Sequence, residues 1–119
     1  MASRGIRGAT VAEANTREAI VAGVQELLQE LVRANDLRIE EVACAFFTTT
    51  RDLNAEFPAV GARELGWNDV ALLCGHEMDV PGAMTSVIRV MLMVNTDKRA
   101  DEMVHVYLKE ARNLRPRSE

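Results

Sequence analysis

SVIRVMLMVNT, residues 86–96, reads as a β-strand, and period-two alternation sorts its side chains onto two faces. Val87, Arg89, Met91 and Met93 fall on one, and Ile88, Val90, Leu92 and Val94 on the other. A single guanidinium therefore stands among apolar neighbours. Burying an unpaired charge costs several kcal/mol even after relaxation, so Arg89 requires either a fixed carboxylate or an anionic or electron-rich ligand. The first option is an ordinary ion pair, internal or between subunits. The second makes the strand part of a binding site.

The flanking segments supply more sheet and its cover. RGIRGAT, residues 4–10, has the look of a short strand, with Arg7 held between Ile6 and Gly8 and with Gly5 nearby. Glycines at such positions let a ligand or a second backbone come close. Arg4 points to the opposite face from Arg7 and reads as a solvated or structural charge. Asn15 or Thr16 caps a helix from about residue 16 to 34, whose apolar stripe is Ile20, Val24, Leu27, Leu28, Leu31 and Val32. EVACAFFTTT, residues 41–50, is β-branched and aromatic and reads as a largely buried strand. Pro58 suits the first turn of a short helix that Gly66 ends. DVALLC, residues 69–74, gives another strand, and DVPGAM, residues 79–84, a loop punctuated by Pro81 and Gly82. The C-terminal segment has no clear periodicity.

This order of elements, in a chain of 119 residues with 48% apolar content, indicates one α/β (α+β) domain spanning 1–119, with 116–119 as a flexible tail. Aromatic residues make up only 4% and the net charge is -4, a poor match to a surface that stacks bases or tracks phosphates, so nucleic acid is excluded as a partner. Apolar runs such as VACAFF and VMLMV are too short to cross a bilayer, and the N-terminus lacks the apolar region of a signal peptide, which implies no membrane association and a cytoplasmic location. Of 14 basic residues only Lys98 and Lys109 are lysine. Overall composition accounts for that bias, so the positions of the arginines matter more than their number. Cys44 and Cys74 have no paired-motif spacing and read as reduced thiols.

CGHEMDV, residues 74–80, collects a thiol, an imidazole and carboxylates just past a strand. Its spacing matches no usual zinc signature and places no general base beside the cysteine, so neither a metal nor a thiol nucleophile is expected. Hydrogen bonding to a hydroxyl suits these residues better.

RGIRGAT at the start, DLNAEFPAVGARELGW in the middle, CGHEMDVPGAM followed by IRVMLMVNTD, and HVYLKEARNLRP at the end occur in an order that resembles the small trimeric α/β class of chorismate mutases. The resemblance spans nearly the whole chain. It implies a mixed five-stranded sheet with one long and one short helix, assembling as a homotrimeric pseudo-α/β barrel with clefts at the subunit interfaces. It also implies the conversion of chorismate to prephenate, a step toward phenylalanine and tyrosine, by a concerted Claisen rearrangement without cofactor or metal.

Carried onto this sequence, the resemblance assigns Arg89 to the ether oxygen and Arg7 to the side-chain carboxylate, with Tyr107 adding a hydroxyl. Glu77 and the Cys74 backbone or thiol become partners of the ring hydroxyl, with Glu77 also facing the ring. Phe57, Ala59 and Arg63 form a wall from the neighbouring subunit, and Leu114 and Arg115 a C-terminal lid. Val60 and Leu73 depart from the family pattern, which often has lysine and threonine there; the missing lysine implies weaker capture of the dianion at the cleft mouth. Two other readings compete: a trimeric imine or enamine deaminase of similar shape, for which no motif positions a hydrolytic water, and a non-catalytic trimer that binds a small anion.

Overall fold

The computed structural model describes residues 1–114. The stretch that opens at Ser86 becomes β4 (Val87–Thr96), the centre of a five-stranded mixed sheet with β1 (Ala2–Val11), β2 (Val42–Thr49), β3 (Ala71–His76) and β5 (Val106–Tyr107), in the order β3-β2-β4-β1-β5. β4 is antiparallel to β1, from Ala2↔Thr96 to Val11↔Val87, and antiparallel to β2. β1 and β2 therefore run the same way, and α1 (Arg17–Asn35) carries the chain across β4 between them. β3 is parallel to β2, reached through α2 (Pro58–Glu64), and β5 is parallel to the far side of β1.

Local chemistry sets the ends of the helices. Thr16, in extended backbone, caps α1 by accepting the Ala19 N–H at 3.1 Å, and Asp36 closes it in the left-handed region at φ 51°. Asn15 does not cap the helix. Its Oδ1 accepts the N–H groups of Asn54 and Ala55, both at 3.0 Å, and ties the entry of α1 to the loop before α2. Pro58 is at the start of α2, and Gly66 follows its end at φ 96°.

Both helices pack on one face of the sheet. Ile88, Val90, Leu92 and Val94 of β4 are buried there with Ile6, Ala45 and Phe47, under Ile20, Val24, Leu27, Leu28 and Leu31 of α1. Each large aliphatic side chain so buried contributes roughly 1.5–3 kcal/mol, which makes this layer the main source of stability. Among the described residues no helix covers the opposite face. For that reason β2, read from sequence as largely buried, alternates instead: Ala45, Phe47 and Thr49 are buried, whereas Phe46 stays 47% exposed. Leu73 on β3, at 60%, and Met91 on β4 are exposed on the same uncovered side.

Strand boundaries also extend past those read from sequence: β1 begins at Ala2 and β3 runs on to His76. The ambiguous C-terminal segment resolves into the two-residue β5 and a 3-10 turn at Lys109–Asn113. The proposed tail, 116–119, lies outside the described residues. Among the described residues no helix is long and apolar enough to cross a membrane.

Two glycines make room for α1 or α2. At Gly8 an added Cβ would meet Leu31 Cδ1 at 2.8 Å, so this residue serves the approach of α1. At Gly61 it would meet Val24 Cβ and Cγ1, both at 2.9 Å, in the crossing of the helices. Gly61→Ala is therefore expected to destabilise the fold: overpacking costs about 1–3 kcal/mol, against at most about 1 kcal/mol gained in helix propensity. A lowered urea midpoint would show it, and an unchanged or raised midpoint would mean that the helices separate without cost.

Candidate active site

The uncovered face is organised in rungs, because pairing across the strands fixes which side chains are neighbours. One rung reads Gly75, Thr48, Arg89, Ala9, Tyr107, and the next reads Leu73, Phe46, Met91, Arg7. Arg89 and Arg7 thus stand on adjacent central strands, one rung apart. Tyr107 flanks them from β5, and Glu77 reaches in from just beyond the end of β3. All four line a single cleft floored by the strands, together with Thr48, Phe46 and Met91.

Glu77 is held by both main chain and side chain. Its N–H donates to the Thr49 carbonyl at 2.8 Å, its Oε2 accepts the Thr48 hydroxyl at 2.9 Å, and the same Oε2 lies 3.4 Å from Arg89 Nε. The carboxylate demanded by the position of Arg89 is therefore present. Ion pair and cleft coincide: Arg89 is about a quarter exposed, at 26%, and faces the open space. Thr48, which the sequence reading missed, holds the Glu77 carboxylate by its hydroxyl. Its place in the alternation of β2, two residues past Phe46 on the exposed side, was the available signal.

The remaining candidates gather elsewhere. Phe57, 67% exposed, and Cys74 line a second cleft with Pro58, His76 and the loop at 53–56. Ala59 is buried behind it on α2, and Arg63 is exposed on the same helix. Burial pushes the pKa of the Cys74 thiol up, opposed by the Ala59 backbone N–H and by the charge of Arg63. Val60 is half-buried on α2.

The Cys74 thiol and the Glu77 side chain, expected from the resemblance as partners of one hydroxyl, line different clefts of this chain. Gly75 and His76 of near-extended backbone separate the two residues, and Cys74 turns toward the helix side, where it packs against the core. Cys44 and Cys74 are free thiols. Leu114 closes the last 3-10 turn and does not line either cleft; Arg115 lies outside the described residues. Among the described residues no three metal-ligating side chains converge.

Chemically, the first cleft offers two guanidinium groups, a phenol and a carboxylate fixed by hydrogen bonds, over an apolar floor. This suits a small, multiply charged organic anion. The cleft encloses about 200 Å³, small beside the roughly 300–1,000 Å³ usual for small-molecule sites.

Comparison with known proteins gives consistent matches. The family chorismate mutase type I matches residues 3–118. Chorismate mutase AroH of Thermus thermophilus is 47% identical over 114 residues, covering 95% of this chain and 93% of that protein. Chorismate mutase AroH of Bacillus subtilis (strain 168) is 44% identical over 117 residues, covering 98% and 92%. A solved structure of a chorismate mutase from Clostridium thermocellum superposes with a TM-score of 0.90 at 47% identity, covering 92% of this chain and 97% of that one.

Proposed function

This chain belongs to the type I chorismate mutase family; it is an enzyme that isomerises chorismate to prephenate, and we propose that it does so in clefts completed between copies of itself. The rearrangement is intramolecular and concerted. It needs neither nucleophile nor proton transfer, only a flexible dianion held with its reacting carbons in contact and charge stabilised as the ether C–O bond breaks. The residue types of the first cleft fit that short list.

Arg89 faces the ether oxygen, where negative charge grows in the transition state. Glu77, held in place by Arg89 and the Thr48 hydroxyl, accepts the ring hydroxyl and faces the ring as it becomes electron-poor. Arg7 grips the side-chain carboxylate in a charge-assisted contact, with Tyr107 donating its hydroxyl beside it. The single observation that carries this reading is the convergence of Arg7, Arg89, Glu77 and Tyr107 on one cleft of the open sheet face.

A homotrimer supplies the missing wall. The second cleft, lined by Phe57 and Cys74 and with Arg63 on α2, would pack against the first cleft of the adjacent copy, with Leu73 at the rim. The exposed Phe46 and Leu73 beside the first cleft, and Phe57 at the second, support such burial, since large exposed apolar side chains are poor solvent-facing surface. Cys74 then approaches the ring hydroxyl from the neighbouring copy rather than from beside Glu77.

Purified protein is expected to consume the ultraviolet absorbance of chorismate with no added metal or cofactor, yielding prephenate. A flat trace from a folded oligomer would refute the assignment of turnover. Ammonia released from an imino acid would favour the deaminase reading instead.

A further inference from the structure

The segment that brings Tyr107 into the cleft is fastened by side chains where a β-ladder would otherwise run. In the parallel pairing of β1 with β5, Gly8 faces Val106 and Ala9 faces Tyr107, and the Leu108 N–H donates to the Ala9 carbonyl at 2.9 Å. Continued regularly, that ladder would bring the Arg7 N–H to the Val104 carbonyl. Val104 is turned elsewhere. Its carbonyl accepts from Asn35 Nδ2 at 2.9 Å and its N–H donates to Asn35 Oδ1 at 2.7 Å. Asn35 is buried at the end of α1, where its Nδ2 also donates to the Leu31 carbonyl at 3.0 Å. The Arg7 N–H goes instead to the ring of His105, whose Nδ1 accepts it at 2.9 Å.

We propose that His105 is a positioning residue for Arg7: its Nδ1 replaces a ladder carbonyl, pins the β1 backbone at Arg7, and so aims that guanidinium into the cleft. From sequence alone His105 reads as filler, at most able to orient Tyr107. The bond to the main chain of Arg7 gives it a more specific role. Because a backbone N–H is the donor, Nδ1 carries no proton, and the ring is the neutral tautomer protonated at Nε2. Asn35 acts one step further out, holding the 103–107 segment so that the imidazole reaches β1.

The proposal rests on the reading that Arg7 grips a substrate carboxylate, and the test separates the two. Steady-state KM and kcat for chorismate would be measured for His105→Leu, His105→Asn, His105→Gln and Arg7→Ala, with melting temperatures alongside. Leucine fills the space without an acceptor, and KM is expected to rise about 3- to 10-fold while kcat changes less. Asparagine places Oδ1 where Nδ1 stood and is expected to restore KM, whereas glutamine, whose polar atoms reach the Nε2 position, is not. Should the leucine variant not fold, the asparagine–glutamine contrast carries the same decision. If Arg7→Ala raises KM while His105→Leu leaves it at the wild-type value, the role of His105 is overturned and that of Arg7 stands. Equal losses for asparagine and leucine, tracking the melting temperature, would also overturn it, leaving a structural residue. An unchanged KM in Arg7→Ala would remove the premise and the proposal together.

Discussion

Arg89→Ala is expected to lower kcat by about 10²- to 10³-fold, equivalent to about 3–4 kcal/mol of lost transition-state stabilisation, with a smaller change in KM. The asymmetry follows from when the interaction forms. In bound chorismate the ether oxygen is nearly neutral, so the guanidinium gains little from it. As the C–O bond lengthens the oxygen becomes anionic, and a cation already in place stabilises it without reorganisation. Pre-organisation is visible here: Arg89 is on the central strand, flanked in its rung by Thr48 and Ala9, with Nε 3.4 Å from Glu77 Oε2. Arg89→Lys is expected to lose most of the activity as well, since a point charge on a flexible stem does not reproduce a planar fork held by a carboxylate. Turnover of chorismate followed by absorbance, beside the melting temperature of each variant, decides between catalysis and structure. Were Arg89 only an ion-pair partner, the alanine variant would melt earlier and turn over at the wild-type rate per folded molecule.

Much of this arrangement is legible in the chain because period-two alternation is rigid. Given the strand at 86–96, the separation of Arg89, Met91 and Met93 from Ile88, Val90, Leu92 and Val94 follows, and the structure keeps it. The alternation within one strand does not tell which strands are neighbours, so the alignment of Arg89 with Thr48, Ala9 and Tyr107 could not be read from spacing. The family resemblance supplied Arg7, Glu77 and Tyr107 as companions of Arg89, and the cleft brings them together. The alternation of β2 puts Thr48 on the exposed side with Phe46, but its partner becomes evident only when β3 ends beside β2 and Glu77 turns back. Burial of β2 was overestimated for a related reason: apolar content reveals that a face avoids water, not whether the same chain covers it. Phe46 and Leu73 are apolar without a cover of their own. The family resemblance made Glu77 and the Cys74 backbone or thiol partners of one hydroxyl, and strand alternation puts the Glu77 side chain and the Cys74 thiol in two different clefts.

That division yields the second large effect. If each working site joins the Arg89 cleft of one subunit to the Arg63 side of another, two variants that are each inactive should complement when mixed. Arg89→Ala disables the first half. Arg63→Glu, at an exposed position of α2, should disable the second by turning a cation near the dianion into an anion, with little effect on folding. Co-refolded in equal amounts into a cyclic trimer, half the subunits at any interface carry an intact first half and half an intact second. About a quarter of the sites then hold both, and about a quarter of wild-type turnover should return from two preparations that have almost none. The result requires that mixed trimers exist, which native mass spectrometry reports directly from the mass difference between the variants. Recovery in such a mixture means that substrate sits between copies, and it explains why this small chain leaves Phe46, Leu73 and Phe57 uncovered. Mixed trimers without recovery would place all the catalytic groups within one subunit, and Arg63 and Phe57 would then lose their part in the site.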